Sequence, residues 1–358
     1  IAAPGDTSGP WFGVPLPPVF EPHTTPAIVG SRGPAPAVVP AGEENYTELT
    51  GDRIAEDLRT IVDFSIRSRQ QQELGGAQLW GRVSGFPSSD QTIAWVAQAF
   101  RSAGIEEVRV QDLVQEADSE LWLPVEWQVT LLGSNRFGAG SEDVVLSTAV
   151  ALAPSVISGG SLTAPIIYVG TGSPAELAHI DVTGKIVIQQ VTPQAHLVFE
   201  RARVVPRALD AMQRGALAVI NMIDQPGNEM ARDLARCGGP CFNVGGRDGH
   251  FLRQVIDAAA VRGQLDELQM RLELTTQTHS GLRARNAIAV IPGESDETIV
   301  LNAHVDAWYD GAGDNGDGLA VLIAMARHFS RPDVQLQRTL VLVASAGHHT
   351  PGLNGPRN

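Results

Sequence analysis

The stretch LNAHVDAWYDGAGDNGDGLAVL, residues 301–322, decides the fold. An apolar run ends in His304 and Asp306. Eight residues beyond Asp306, in a glycine-rich loop, stands Asp314, and an apolar helical pattern follows directly. Upstream, NAIAVIPG and ETIVLNAHVD read as two buried strands around a turn. Downstream, 318–329 reads as a helix and RTLVLVASAG as another buried strand. Strand, helix and strand in this order predict a βαβ unit in a mostly parallel α/β sheet. Ligands of such sheets bind beyond the carboxyl ends of the strands. His304 and Asp306 fall at one such end, and His348 and His349 at the next.

A lone histidine at a strand end is usually structural. Asp306 changes the reading, because a carboxylate two residues on receives one ring N–H and leaves the other nitrogen to face a metal. Asp314 adds a carboxylate from a loop whose glycines permit close backbone approach. The alternatives are a glycine-rich turn with solvated aspartates, or a calcium loop using Asp310, Asp314 and Asp317. Their spacing does not follow the alternate-residue pattern of calcium loops. Histidine with carboxylate suits zinc better.

With 358 residues, two domains are expected. No apolar run approaches the length of a membrane span. The balance of 26 basic against 40 acidic residues, a net charge of −14, excludes a nucleic-acid binder that relies on clustered Lys and Arg. Lys185 is the only lysine, a mark of composition bias rather than of function. The chain starts at Ile1 without a visible signal peptide and reads as processed or cut. Cys237 and Cys241, in RCGGPCF, are open between a disulfide and two free thiols.

Residues 1–43 hold ten of the 23 prolines and read as an extended or disordered arm. Asn45-Tyr46-Thr47 is a glycosylation sequon, meaningful only in a secretory host. A helix is predicted over 52–70, with Asp52 as its cap. A second follows, with Ser88 to Gln91 as a capping box and Ile93, Val96, Ala97 and Phe100 on one face. EEVRVQDL reads as a strand. The middle of the chain changes texture to short strands and turns: APIIYVG, GKIVIQQ, ALAVINM and PCFNVGG, with one amphipathic helix over 202–214. Gly184-Lys185 is expected at a turn into a central strand.

H-x-D, eight residues on, then G-x-x-D-N-x-x-G opening a helix, resembles the two-zinc exopeptidases: secreted aminopeptidases, glutamate carboxypeptidase and the transferrin receptor ectodomain. WGRVSGFPSSDQTIAWVAQAFRSAGI is similar to the start of their peptidase domain. YVGTGSPAEL, DVTGKIVI, ALDAMQRGALAVINM and PCFNVGGRDG resemble the protease-associated domain inserted into it. The resemblance implies an α/β domain with helices on both sheet faces, split over 44–124 and 281–358, with a β-rich insert over 125–280. It implies zinc, one or two ions, held by His304 and a bridging Asp314, with Asp306 orienting His304. It further implies a peptide substrate, a secreted, periplasmic or cell-surface location, and the possibility of a homodimer.

One departure bears on activity. Such enzymes carry two adjacent glutamates after the next strand, one a general base and one a zinc ligand. Here His348 and His349 stand 34 and 35 residues beyond Asp314, and no Asp or Glu occurs over 334–358. His349 is expected as a metal ligand and His348 as the group that takes a proton; a solvated histidine pair is the bland alternative. The family also needs a further Asp and His downstream, so the resemblance implies a fragment or a degenerate homologue. The expected function is an impaired zinc exopeptidase, with a non-catalytic binding protein on the same scaffold as its rival.

Overall fold

A computed structural model describes residues 9–21, 41, 44, 46–193, 208–232 and 237–355. In chain order, α1 (Gly51–Gln70), α2 (Pro87–Ser102), β1 (Glu107–Val114) and β2 (Leu121–Leu131) come first. Then follow β3 (Val144–Val145), β4 (Val150–Ala151), β5 (Ser161–Tyr168), α3 (Pro174–Leu177), β6 (Ile186–Val191), α4 (Ala208–Gln213), β7 (Ala218–Ile223), β8 (Cys241–Val244), α5 (Gly246–Val261) and β9 (Gln269–His279). The chain closes with β10 (Arg283–Ile291), β11 (Ser295–His304), α6 (Asp317–Phe329) and β12 (Arg338–Ser345). These form two compact units, one drawn from Ile1–Glu21 and Glu126–Gln277, the other from Pro22–Val125 and Thr278–Asn358.

The unit that carries residues 301–322 is an α/β sheet in the order β1-β10-β12-β11. The βαβ segment β11-α6-β12 is parallel, as its strand-helix-strand pattern requires. The sheet as a whole is mixed rather than mostly parallel, since β10 runs antiparallel to both β1 and β12. The turn from β10 to β11 is too short for a crossover, so the two strands run in opposite directions, and β12 enters between them.

Helices α1, α2 and α6 share one core on one sheet face, where the expectation was helices on both. Ile61 of α1, Ile93, Val96, Ala97 and Phe100 of α2, and Leu319, Leu322 and Ile323 of α6 pack on Ala287, Ala289, Leu342 and Ala344. Small strand residues let the helices approach closely. Both helix starts differ from expectation. Thr50, not Asp52, is the N-cap of α1, and no side chain caps it. Pro87 opens α2, and the carboxylate of Glu73 accepts the N–H of Ser88 at 2.6 Å, taking the role expected of a capping box. A carboxylate from outside the helix satisfies the same orphan donors.

The other unit holds the sheet β3-β2-β9-β5-β6-β7-β8-β4, with β5 to β8 parallel. Gly184 adopts φ +69° in the turn that leads into β6. Helix α4 packs on Val219, and Gly249 of α5 abuts Met222. These β7 positions point to opposite faces, so this sheet is covered on both sides. Helix α5 and the long strands β2 and β9 have no counterpart in the sequence reading. Part of the Pro-rich arm packs here: Trp11 is buried against Phe137, its N–H donates to Ser141 Oγ at 2.8 Å, and its indole N–H to the Glu142 carbonyl at 3.1 Å. Cys237 and Cys241 are joined by a disulfide. Asn45 of the sequon and residues 202–207 of the expected helix lie outside the described residues.

Candidate metal centre

Strands β11 and β12 are parallel with His304 level with Ser345, so both end at one edge of the sheet. This brings the turn after β12 beside the His304 strand end. Val305 N–H donates to the Ser345 carbonyl at 2.7 Å and extends the pairing by one step. Gly347 then turns the chain at φ +86°, where a side chain would collide with the carbonyl of Leu353.

Asp306 is fully buried at the centre of this edge. Its Oδ1 accepts the N–H of His348 at 3.3 Å and its Oδ2 that of His349 at 2.8 Å. Its main-chain carbonyl accepts Nδ1–H of His304 at 2.9 Å, closer than its carboxylate, which lies 3.5 Å from the same nitrogen. A carbonyl only accepts, so Nδ1 carries the proton and Nε2 faces outward. Orientation of His304 thus comes first from a main-chain group. The Asp306 carboxylate mainly holds the histidine turn.

His304 Nε2 lies 3.0 Å from Asp314 Oδ1, and His349 Nε2 lies 3.5 Å from Asp314 Oδ2. His348 stacks on His304 with ring centroids 4.2 Å apart. One ring nitrogen of each of the three histidines falls within 4.8 Å of the others. The five residues singled out from the sequence are therefore together. Trp308 lies 6.0 Å from the His349 ring, while Tyr309 packs edge-on against Trp80 at 5.8 Å.

Charge follows geometry. Burial opposes protonation of His304, but hydrogen bonds to Asp306 and Asp314 outweigh it and raise its pKa to about 9. The same contact with His304, then that with His349, holds Asp314 well below the usual carboxylate range. Burial would raise the carboxyl of Asp306, and the contact with His304 and the proximity of His349 bring it down instead. Burial, then the charges of His304 and His349, lower His348, which is neutral at pH 7.

The donor set fits a divalent metal. His349 Nε2 is buried and has no hydrogen-bond partner among the described residues, although it lies 3.5 Å from a carboxylate oxygen. A proton on His304 Nε2 occupies the line to Asp314 that a cation would take. Two imidazole nitrogens and a carboxylate, with a third imidazole beside them, match the preference of zinc.

The sequence reading missed Arg82. Its guanidinium is fully buried and donates to the carbonyls of Val305, Asp310 and Gly311, in the segment that runs from the end of β11 to Asp314. The only signal in the sequence is an arginine in an otherwise uncharged stretch, WGRVSGF.

Residues 286–355 match the profile of Peptidase family M28. No curated protein matches the chain. Among solved structures, the aminopeptidase from Aneurinibacillus sp. strain AM-1 is 22% identical over 82% of this chain and 62% of that one, with TM-score 0.51. A Peptidase M28 precursor from Shewanella amazonensis SB2B is 20% identical over 86% and 68%, with TM-score 0.59. BSAP, a zinc aminopeptidase from Bacillus subtilis, is 20% identical over 82% and 61%, with TM-score 0.51. At these identities the likeness is one of fold: the α/β fold of the M28 aminopeptidases. The chain spans about three-fifths to two-thirds of their lengths. No helix among the described residues is long and apolar enough to cross a membrane.

Proposed function

We propose that the chain is a zinc exopeptidase-like protein that binds a peptide end and hydrolyses the terminal bond poorly. One observation carries the reading: His304 Nε2 and His349 Nε2 both face the carboxylate of Asp314, and the second is buried without a hydrogen-bond partner among the described residues. His304, Asp314 and His349 would hold one zinc, a three-ligand set with an open position. When bound, zinc would supply Lewis-acid chemistry to a carbonyl and to water at neutral pH. Asp306 fixes the His348-His349 turn, and its main-chain carbonyl fixes the tautomer of His304. His348, neutral and exposed, takes the proton that a glutamate would take in the family the sequence resembles. The β-rich unit corresponds to a protease-associated domain. The Cys237–Cys241 disulfide supports an oxidising location, secreted, periplasmic or at the cell surface.

The second reading is a binding protein without turnover on the same scaffold. It is favoured by the absence of any Asp or Glu over 334–358. A second zinc would find a single carboxylate bridge and extra imidazoles, leaving the repulsion between two dications poorly offset.

Metal analysis of the purified chain, combined with aminoacyl and carboxyl-terminal reporter peptides, tests the proposal. The expected result is about one zinc per chain with slow or undetectable turnover. Failure to take up zinc would overturn it.

A further inference from the structure

Arg82 lies between α1 and α2, and none of its surface is exposed. A fully buried arginine normally faces a carboxylate. The contacts of Arg82 are instead carbonyl and hydroxyl oxygens. Nε donates to Val305 O at 3.0 Å. Nη1 reaches Ile61 O at 3.3 Å, Ser65 Oγ at 2.7 Å and Asp310 O at 2.9 Å, and Nη2 reaches Gly311 O at 3.0 Å. Two acceptors belong to α1. The other three belong to the loop that runs from the end of β11 to Asp314.

The main chain around Arg82 grips the same loop. Arg82 O accepts the N–H of Ala307 at 2.9 Å, and Trp80 O that of Tyr309 at 2.7 Å. Ser65 Oγ donates to Asp310 O at 3.1 Å. The loop is therefore tied at residues 305, 307, 309, 310 and 311 by Trp80, Arg82 and Ser65. Gly316 N–H, just past Asp314, bonds back to Gly311 O at 2.9 Å, so the fixed segment extends to both flanks of Asp314. Burial lowers the Arg82 pKa to about 10, with Asp306, Asp310 and Asp314 opposing the shift, so the group is charged at neutral pH.

We propose that Arg82 is the positioning residue of the metal centre: it locks the 305–311 loop to α1 so that Asp314 meets His304 and His349. The proposal rests on the zinc reading above. A planar guanidinium presents five donors in a fixed fork, whereas an ammonium has three on one atom. Lysine at this position keeps the charge but strands loop carbonyls without donors. The loop then loosens, and Asp314 loses its register with the two imidazoles.

The test compares the whole chain with Arg82→Lys and with a reference, Val96→Ala, which loosens the same core through α2 but removes none of the hydrogen bonds to the loop. In metal-free protein, hydrogen exchange at Ala307, Tyr309 and Gly316 is expected to accelerate in Arg82→Lys and to stay unchanged in the reference. Zinc affinity, read by competition with a chromophoric chelator at a temperature where all three are folded, is expected to fall about 10–100-fold in Arg82→Lys alone. Unchanged exchange in Arg82→Lys, or equal losses in the reference, overturns the proposal. If the unaltered chain takes up no zinc, the metal reading fails, and the exchange arm still decides whether Arg82 holds the loop.

Discussion

The carboxylate of Asp306 accepts the main-chain N–H of His349 at 2.8 Å, across 43 residues of sequence. Through this bond and its partner to His348, one buried aspartate holds the two strand ends of the centre together. Asp306→Asn would turn one acceptor into a donor facing an N–H. The expected outcome is a loss of about 2 kcal/mol in stability by urea unfolding, with weaker zinc binding.

Removing a proposed ligand tests the centre directly. Trp308 lies 6.0 Å from the His349 ring, so its fluorescence is expected to change when zinc is added and to return with chelator. His349→Ala should abolish the response and weaken zinc binding by about 100-fold or more, beyond the 10–100-fold ordinary for outer partners. An identical titration in the variant would count against His349 as a ligand.

Introducing carboxylates tests the proposed impairment. Removing a general base typically costs about 10²–10⁴-fold in rate. The double change His348→Glu, His349→Glu is therefore expected to raise reporter-peptide turnover by about 10²-fold or more. Robust, chelator-sensitive turnover by the unaltered chain that the glutamates fail to improve would show that the histidines perform the chemistry themselves.

The ion pair of Asp57 with Arg327 joins α1 to α6 beneath the shared core. Arg327 Nη2 donates to Asp57 Oδ1 at 2.9 Å and Nη1 to Oδ2. Asp57 is 5% exposed, so Asp57→Ala leaves a guanidinium partly buried and uncompensated. The expected loss is about 3 kcal/mol, measured by chemical unfolding.

Glu176 provides a pH signature in the β-rich unit. Its carboxylate accepts from the side chain and N–H of Ser173 and from Thr171, which lowers its pKa to about 2. A depressed carboxyl stabilises the fold above its unfolded pKa and loses that contribution as pH falls through the folded value. Glu176→Gln should therefore lower the urea midpoint at pH 7. The gap to the unaltered chain should shrink below about pH 4.5 and close near pH 2.

The sequence by itself determined the α/β class and the elements from β10 to β12, and it singled out His304, Asp306, Asp314, His348 and His349 as candidates. These are local properties: apolar periodicity, glycine spacing and residue chemistry within a few turns of chain. Set beside the two-zinc exopeptidases that it resembles, the sequence also carries histidines where those enzymes have two glutamates, a difference visible in one dimension. Tertiary structure alone decided that β12 enters between β10 and β11, that Glu73 caps α2, and that Trp11 packs against the distant Phe137. It alone showed that Arg82 reaches Val305 across 223 residues and that His349 Nε2 faces the carboxylate of Asp314. The physical reason is that buried polar groups must find acceptors wherever the packed chain brings them. Residue type states the need for a partner, and only the fold supplies its address.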